Sequence, residues 1–463
     1  MAARGGFSSK IGFIAAAAGS AVGLGNIWKF PYEAGENGGA AFLFVYLACM
    51  LVIGFPIMVG EIAIGRAAQK DPYGSYRQLG NRKWGIVGLF GIISGVMILS
   101  FYNVVAGWAF GYFYQIIFGN LLEVENFGSY FGAYVSDVSD NMIYSFVFMI
   151  FTAIVVIQGV QKGIEKASQI LMPILLILLA TLIIYSLTLP GALQGAKFYL
   201  VPNFSDISLR TIYTAMGQSF FSLSLGMGAL ITYGSYISKK ENIISSAITV
   251  TLVDGLVAFM AGLLIFPLVF SQGQAPSAGP GLVFVALPGI FQEMGPIMGR
   301  LIGGGFFLLL CFAALTSTIS LLEVPVAFIV DEKNWPRKKV VFGLAFLIFL
   351  IGIPSMLSVG AVNGLTNFMH YEGSNKSFLD LIEDIFSNIG LPLGGFMLSL
   401  FVAFKWKTKS LSEEIAQGNP GYEGSLIQKL VNFSITVICP IILGTIFLIT
   451  MLTKFLGLDL AFV

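Results

Sequence analysis

The chain has 463 residues, of which 56% are hydrophobic and 11% charged, with 25 basic against 24 acidic side chains and a mean hydropathy of +0.86. Such a composition cannot furnish the charged surface of a water-soluble enzyme, and a net charge of +1 offers nothing to nucleic acid or to an acidic surface ligand. The expected fold class is an all-α polytopic membrane protein.

Apolar windows long enough to span a bilayer, about 20 residues each, recur about eleven times along the chain. They lie near residues 11–35, 40–65, 85–117, 142–159, 166–188, 210–236, 242–270, 301–330, 339–357, 379–404 and 428–455. No cleavable signal is read before the first window, whose flank is Met1-Ala2-Ala3-Arg4 and which is too long for one; the amino terminus is expected to stay attached and cytoplasmic. That window carries Gly19-Ser20-Ala21-Val22-Gly23-Leu24-Gly25-Asn26-Ile27-Trp28-Lys29-Phe30-Pro31. Glycines, an amide, a cation and a proline inside a spanning segment predict a broken helix. Peptide groups freed at membrane depth find no partner in lipid, so the break must line something polar.

Short loops on one side are basic: Arg66, Lys70, Arg77, Arg82 and Lys83 after the second window; Lys162 and Lys166 before the fifth; Lys239 and Lys240 after the sixth; Lys333, Arg337, Lys338 and Lys339 after the eighth; Lys405, Lys407 and Lys409 after the tenth. The loop between windows three and four instead carries Glu123, Glu125, Asp137 and Asp140 without a lysine or arginine. The basic loops are therefore expected in the cytoplasm, and an odd helix count puts residues 458–463 outside.

In helix five Gly163, just before the fifth window, and Pro173 within it stand ten positions apart, a pair that lets a helix unwind and admit water. The sixth is interrupted at Ser222-Leu223-Ser224-Leu225-Gly226-Met227-Gly228, five spans after the first break. Glycine-broken helices at matching places mark a 5+5 inverted repeat with a binding site at the midplane. The expected division is residues 1–190 (helices 1–5), 191–410 (helices 6–10) and 411–463 (an additional helix 11). Tight packing of small residues is the bland alternative for either run alone.

An acidic residue at the middle of the seventh window, Asp254, is expensive in lipid and so marks a functional position. Thr316-Ser317-Thr318 in the eighth reads either as oxygen ligands or as ordinary interhelical hydrogen bonding. Cys49, Cys311 and Cys439 all lie in apolar runs, where packing is the expected role, and His370, in a predicted loop, makes no metal site alone. No nucleophile–base pair or metal cluster suggests an enzyme.

Three pieces together, Gly19 through Phe42 with Glu36-Asn37-Gly38-Gly39, Gly217 through Gly228, and Leu315-Thr316-Ser317-Thr318, resemble the neurotransmitter:sodium symporter family, in its bacterial amino-acid-transporting branch. The resemblance implies that family's fold, with eleven helices where many members have twelve. It implies sodium-coupled symport of neutral hydrophobic or aromatic amino acids by alternating access, in the bacterial plasma (inner) membrane, with no enzymatic activity.

By the same resemblance, a substrate carboxylate would be held at the N–H groups of Leu24 and Gly25 and by the hydroxyl of Tyr102. The substrate ammonium would meet the carbonyls of Ala21, Phe221 and Ser222 and the Ser224 hydroxyl. The apolar wall would be Ile98, Phe221, Met227 and Leu321, with Val22 and Ala21 beneath; a charged substrate side chain would find no partner there. Two sodium ions are implied, one at Ala21, Asn26, Ser222 and Asp254 together with a substrate carboxylate oxygen, the other at Gly19, Val22, Ala313, Thr316 and Ser317. No chloride is expected, because Asp254, close to Tyr46, Gln218 and Ser222, supplies a fixed negative charge, with Ala258 one turn later on the anion-ligand position. An outer gate would pair Lys29, in place of the family's usual arginine, with Glu383 or else Asp384. An inner latch would use Arg4, Phe7 and Asp331, and the Gly163–Pro173 segment would release sodium inward.

The implied partners are an amino acid and the lipid bilayer; the oligomeric state is left unassigned. The competing function is a non-transporting amino-acid sensor of the same fold, which should carry a sizeable cytoplasmic domain. The longest polar segment, about residues 405–427, is too short for one.

Overall fold

The computed structural model describes residues 5–271, 273, 281–371 and 373–455. Strands among them are confined to one small antiparallel hairpin, Met369–Tyr371 with Ser374–Lys376; nearly everything else is helix. Among the described residues nine helices are long and apolar enough to cross a membrane: Ala40–Ala68, Gly85–Ile117, Val138–Ile157, Val160–Leu187, Ile243–Ser271, Pro296–Lys333, Arg337–Leu357, Phe378–Ala416 and Leu426–Lys454. A further span is the bent pair Lys10–Ala21 and Gly25–Glu36, whose arms meet at 48°. The sixth window is two shorter helices, Leu209–Ser222 and Ala229–Gly234, neither of which crosses alone. Counted with that broken pair as one, the described residues follow the eleven windows in chain order, and the ordinals below number the spans by window.

Local chemistry explains both interruptions. The first arm begins at Ser9, whose side chain caps the Gly12 N–H, and ends where Val22 turns extended at φ −69° and ψ 111°. The chain re-enters helix through a wide turn at Gly25–Lys29, and Pro31 follows in the first turn of Phe30–Glu36, where its missing N–H costs little. In the sixth span Ser224, Gly226 and Gly228 take φ values of +53°, +86° and +79°. Left-handed backbone repeated at alternate positions cannot continue a right-handed helix. Gly226 is also required for space, because a Cβ there would press into the Leu391 carbonyl.

The third and eighth spans run through the middle of the bundle against each other, and both are largely buried. Large apolar side chains such as Ile86, Ile184, Phe346 and Ile441 are exposed on the periphery, where a bilayer would cover them. The three cysteines are buried among the helices.

Two local expectations differ from what the chain does. The segment from residue 405, read as polar, is helical over Lys407–Ala416 after a break at Lys407, where φ is +69°; Leu411 and Ile415 recur on one face and are buried while Lys405, Lys407 and Lys409 face outward. His370, placed in a loop, lies on the hairpin, exposed, with Nδ1 2.9 Å from Asn375 Oδ1.

Candidate functional site

The two breaks face each other. Ser224 Oγ donates to the Ser20 carbonyl at 2.8 Å, Gln218 Nε2 donates to the Gly25 carbonyl at 2.7 Å, and a Cβ on Gly25 would come within 2.9 Å of the Phe221 ring. Carbonyls released from the first helix are thereby taken up by the sixth. On the far side of the sixth-span break, the Gly226 N–H is held by Glu61 Oε1 at 2.7 Å.

Between the breaks lies a small, nearly closed cavity lined by Ala21, Gly23, Gly25, Ile98, Tyr102, Phe221, Ser224, Met227, Ser317, Leu321 and Leu391. It thus gathers eight of the eleven positions expected to bind substrate. Val22, Leu24 and Ser222 sit behind the lining. Leu24 nonetheless reaches the same corner, because its N–H donates to the Tyr102 hydroxyl at 2.8 Å. Gly23, Ser317 and Leu391 complete the wall; in the sequence Gly23 reads only as part of the break and Ser317 only as an ion ligand, and none of the three was assigned to the pocket. Gly23 could have been, since a side chain there would collide with the Ser317 and Tyr102 hydroxyls; Leu391 gives no local signal. No ionisable carboxylate, ammonium or guanidinium lines the cavity, and its body is apolar.

Beside it is a buried polar cluster. Asn26 Nδ2 donates to Asp254 Oδ1 at 2.7 Å and to Ser222 Oγ at 2.9 Å, and Asn26 Oδ1 accepts the Gly23 N–H at 2.9 Å. Ser222 Oγ donates to Asp254 Oδ2 at 2.8 Å, and the Tyr46 hydroxyl donates to Ser222 Oγ at 2.9 Å. The Asp254 carboxylate, fully buried, is therefore surrounded by donors from the first, second and sixth spans. Gln218 keeps its Oε1 buried and without a hydrogen-bond partner. The Ala258 carbonyl, one turn along, accepts from Tyr199 at 3.3 Å.

Oxygens also converge where the first break meets the eighth span. Thr316 Oγ1 lies 3.3 Å from the Val22 carbonyl and 3.0 Å from that of Ala313; Ser317 Oγ lies 3.5 Å from Val22 O and 3.4 Å from Ser20 O. Gly19 packs against Thr316, so closely that a Cβ would come within 3.3 Å of it. The five positions expected at the second ion are thus neighbours.

Above the cavity, Lys29 Nζ pairs with Glu383 Oε1 at 2.9 Å and stands 5.0 Å from the centre of the Phe221 ring. Phe221, not its buried neighbour Phe220, faces the cavity. Asp384, the other possible partner of Lys29, is taken by Lys454 at 2.6 Å.

Below, the Phe7 N–H donates to the Tyr236 carbonyl at 3.1 Å and its ring packs edge-on against Phe13, Tyr233 and Tyr236. Asp331 accepts from the Asp71 N–H at 3.1 Å, while Arg4 lies outside the described residues. Among the buried groups missed in the sequence is Glu165, which accepts from the Ser8 N–H at 2.8 Å, Ser8 Oγ at 2.7 Å and Ser9 Oγ at 3.1 Å. It closes the wide turn Val160–Glu165 that contains Gly163. A lone glutamate beside a helix start carries no sequence signal; only the fold brings it to residues 8 and 9.

The family model of the sodium:neurotransmitter symporter family matches residues 4–126 and 133–458. A sodium-dependent transporter of Bacillus subtilis (strain 168), YhdH, is 40% identical over 416 residues, 89% of this chain and 90% of that protein. The sodium-dependent serotonin transporter of Drosophila melanogaster is 28% identical over 81% of this chain and 68% of its own length. Among solved structures, that of MhsT in complex with L-phenylalanine superposes with a TM-score of 0.88 at 44% identity, covering 96% of this chain and 99% of that one.

Proposed function

The chain belongs to the sodium:neurotransmitter symporter family, a family of membrane transporters, and on that premise we propose that it imports neutral hydrophobic or aromatic amino acids together with sodium. The observation that carries the reading is the cavity between the two breaks: an apolar body, with the Leu24 N–H and Tyr102 hydroxyl at one corner and the Asn26–Ser222–Asp254 cluster beside it. The positive dipole end at the start of a half-helix favours an anion, so a substrate carboxylate belongs at the Leu24–Tyr102 corner. Carbonyls at the end of the opposing arm suit the ammonium. An aliphatic or aromatic side chain then fills the space toward Ile98, Met227 and Leu321, where a charged one would lose its solvation without compensation. The phenylalanine in the related MhsT structure fits this class.

Sodium is a hard cation that needs several oxygens. The first ion would sit among Ala21 O, Ser222, Asp254 and the substrate carboxylate, which requires the Asn26 amide to turn so that Oδ1 replaces Nδ2 toward the cluster. The second would take Gly19 O, Val22 O, Ala313 O, Thr316 and Ser317. Two sodium ions moving through about 100 mV gain about 2.3 kcal/mol each, and a tenfold gradient adds about 1.4 each. The total of roughly 7 kcal/mol supports a substrate gradient of about 10⁵. Asp254 supplies the negative charge that would otherwise call for an anion, so transport is independent of chloride.

The two repeats, residues 1–190 and 191–410, would rock about this site with residues 411–463 added outside them. The protein would lie in the plasma (inner) membrane with its amino terminus and basic loops in the cytoplasm and its carboxy terminus outside. Lys29 with Glu383 closes the outer side; Arg4, Phe7 and Asp331 close the inner side; Gly163 and Pro173 let the fifth span open for release.

Uptake of labelled amino acids into proteoliposomes tests the whole reading. An inward sodium gradient should drive accumulation of leucine, phenylalanine or another neutral apolar amino acid, and chloride replacement should leave it unchanged. Accumulation that persists when choline replaces sodium would refute coupling.

A further inference from the structure

We propose that the eleventh span is a working part of the outer gate, with Asp384 and Lys454 as positioning residues for Lys29. Lysine carries three donors on a compact head, and Glu383 gives it one close oxygen, Oε1 at 2.9 Å. A second acceptor comes from Asn388 Oδ1 at 3.5 Å, and the face of Phe221 lies 5.0 Å away. An asparagine can serve an ammonium only if its oxygen, not its NH₂, points that way.

Asp384 sets that orientation. Its Oδ1 accepts from Asn388 Nδ2 at 2.7 Å, so the amide donates to the carboxylate and leaves its oxygen for Lys29. The same Oδ1 takes Lys454 Nζ at 2.6 Å, and Oδ2 takes the Tyr371 hydroxyl at 2.8 Å. Asp384 is 6% exposed. Carboxylate, amide and gate lysine thus form one chain of hydrogen bonds that begins on the eleventh span and ends over the cavity. The tenth span is in its wide-turn form along Asp384–Ile389, which is where this chain runs.

A second contact reaches the other side of the gate. Thr450 and Lys454 are four residues apart on the eleventh span and so share a face. The Thr450 hydroxyl lies 2.6 Å from that of Tyr213, on the sixth-span arm Leu209–Ser222 that carries Phe221. One face of the eleventh span therefore grips both elements that meet over the cavity: the tenth span through Asp384 and the sixth through Tyr213.

The inference rests on Lys29 and Glu383 being the outward barrier of the proposed transporter, and its test uses no substrate. Leu391, which lines the cavity, becomes a reporter as Leu391→Cys in the full chain, against the native chain, whose three cysteines are buried, as blank. The rate of its reaction with a membrane-impermeant thiosulfonate added outside, in sodium buffer, reads opening of the gate. Lys454→Met in this background should raise the rate roughly 3- to 10-fold, Asp384→Asn should do likewise, and Lys454→Arg should stay within about twofold of the parent. An unchanged rate in Lys454→Met, or equal increases in Lys454→Met and Lys454→Arg, overturns the proposal. Should Lys454→Met fail to reach the membrane folded, an unchanged rate in Asp384→Asn overturns it instead. Loss of amino-acid uptake in the parent would strike at the substrate reading and leave the thiol rates standing.

Discussion

The N–H of Leu24 and the hydroxyl of Tyr102, 78 positions apart in sequence, are joined at 2.8 Å across the corner of the cavity. The hydroxyl thereby becomes an acceptor toward the first span and keeps its own proton available for a ligand. Tyr102→Phe removes that donor and strands the Leu24 N–H. A charge-assisted hydrogen bond contributes about 1.5–3 kcal/mol, so substrate affinity should fall about 10- to 150-fold. Equilibrium binding of labelled phenylalanine or leucine in detergent would measure it; an unchanged Kd would remove Tyr102 from the site.

The Asp254 carboxyl stands among Asn26, Ser222 and Tyr46. Replacing it by serine takes away the negative charge and leaves the hydroxyl and amide donors facing an empty place. Sodium-driven uptake by Asp254→Ser should become dependent on chloride, falling at least about tenfold when gluconate replaces it. Equal uptake with and without chloride in this active variant would defeat the charge-substitution idea.

Lys29 reaches Glu383 with a single short contact. Lys29→Met should abolish most uptake, because it leaves Glu383 unpaired near the cavity and uncovers Phe221. Lys29→Arg should retain transport, since a guanidinium can make two parallel bonds to the same carboxylate. Maximal rates of uptake across the three proteins decide it; full activity in Lys29→Met would show that the pair does not close the site.

Pro173 sits inside the fifth span, where it removes one helical hydrogen bond. Pro173→Ala restores that bond and should hold the helix closed, slowing turnover several-fold while leaving equilibrium substrate affinity within about twofold. Turnover and Kd measured on the same preparation separate the two effects. If both change together, the helix serves the binding site rather than release.

Gly226 has neither a permitted φ nor room for a side chain, at +86° and against the Leu391 carbonyl. Gly226→Ala should lower stability by about 1–3 kcal/mol, read as a drop in the thermal midpoint of the purified protein. A wild-type midpoint would mean that the sixth-span break rearranges freely.

Much of this was legible in the sequence because a bilayer leaves so few solutions. The spans follow from apolar length, and both breaks follow from glycines where a helix would otherwise continue. Leu391 and Asn388 were not legible, because their roles depend on which side chain another span brings opposite them. Lys454 read only as the end of an apolar run, yet it meets Asp384, seventy residues earlier. Leu411 and Ile415 were hidden by the charges around them, although their spacing of four is the period of a buried helical face.

Glu165 is 2% exposed and takes hydrogen bonds from Ser8 and Ser9. Were the stub bearing those serines to peel away, the carboxylate would lose donors that no neighbouring apolar group can replace, and water would have to follow at once. Unfastening of that stub and wetting of the carboxylate would for that reason be a single event. The turn next to Gly163 would get wet at the moment it is set free.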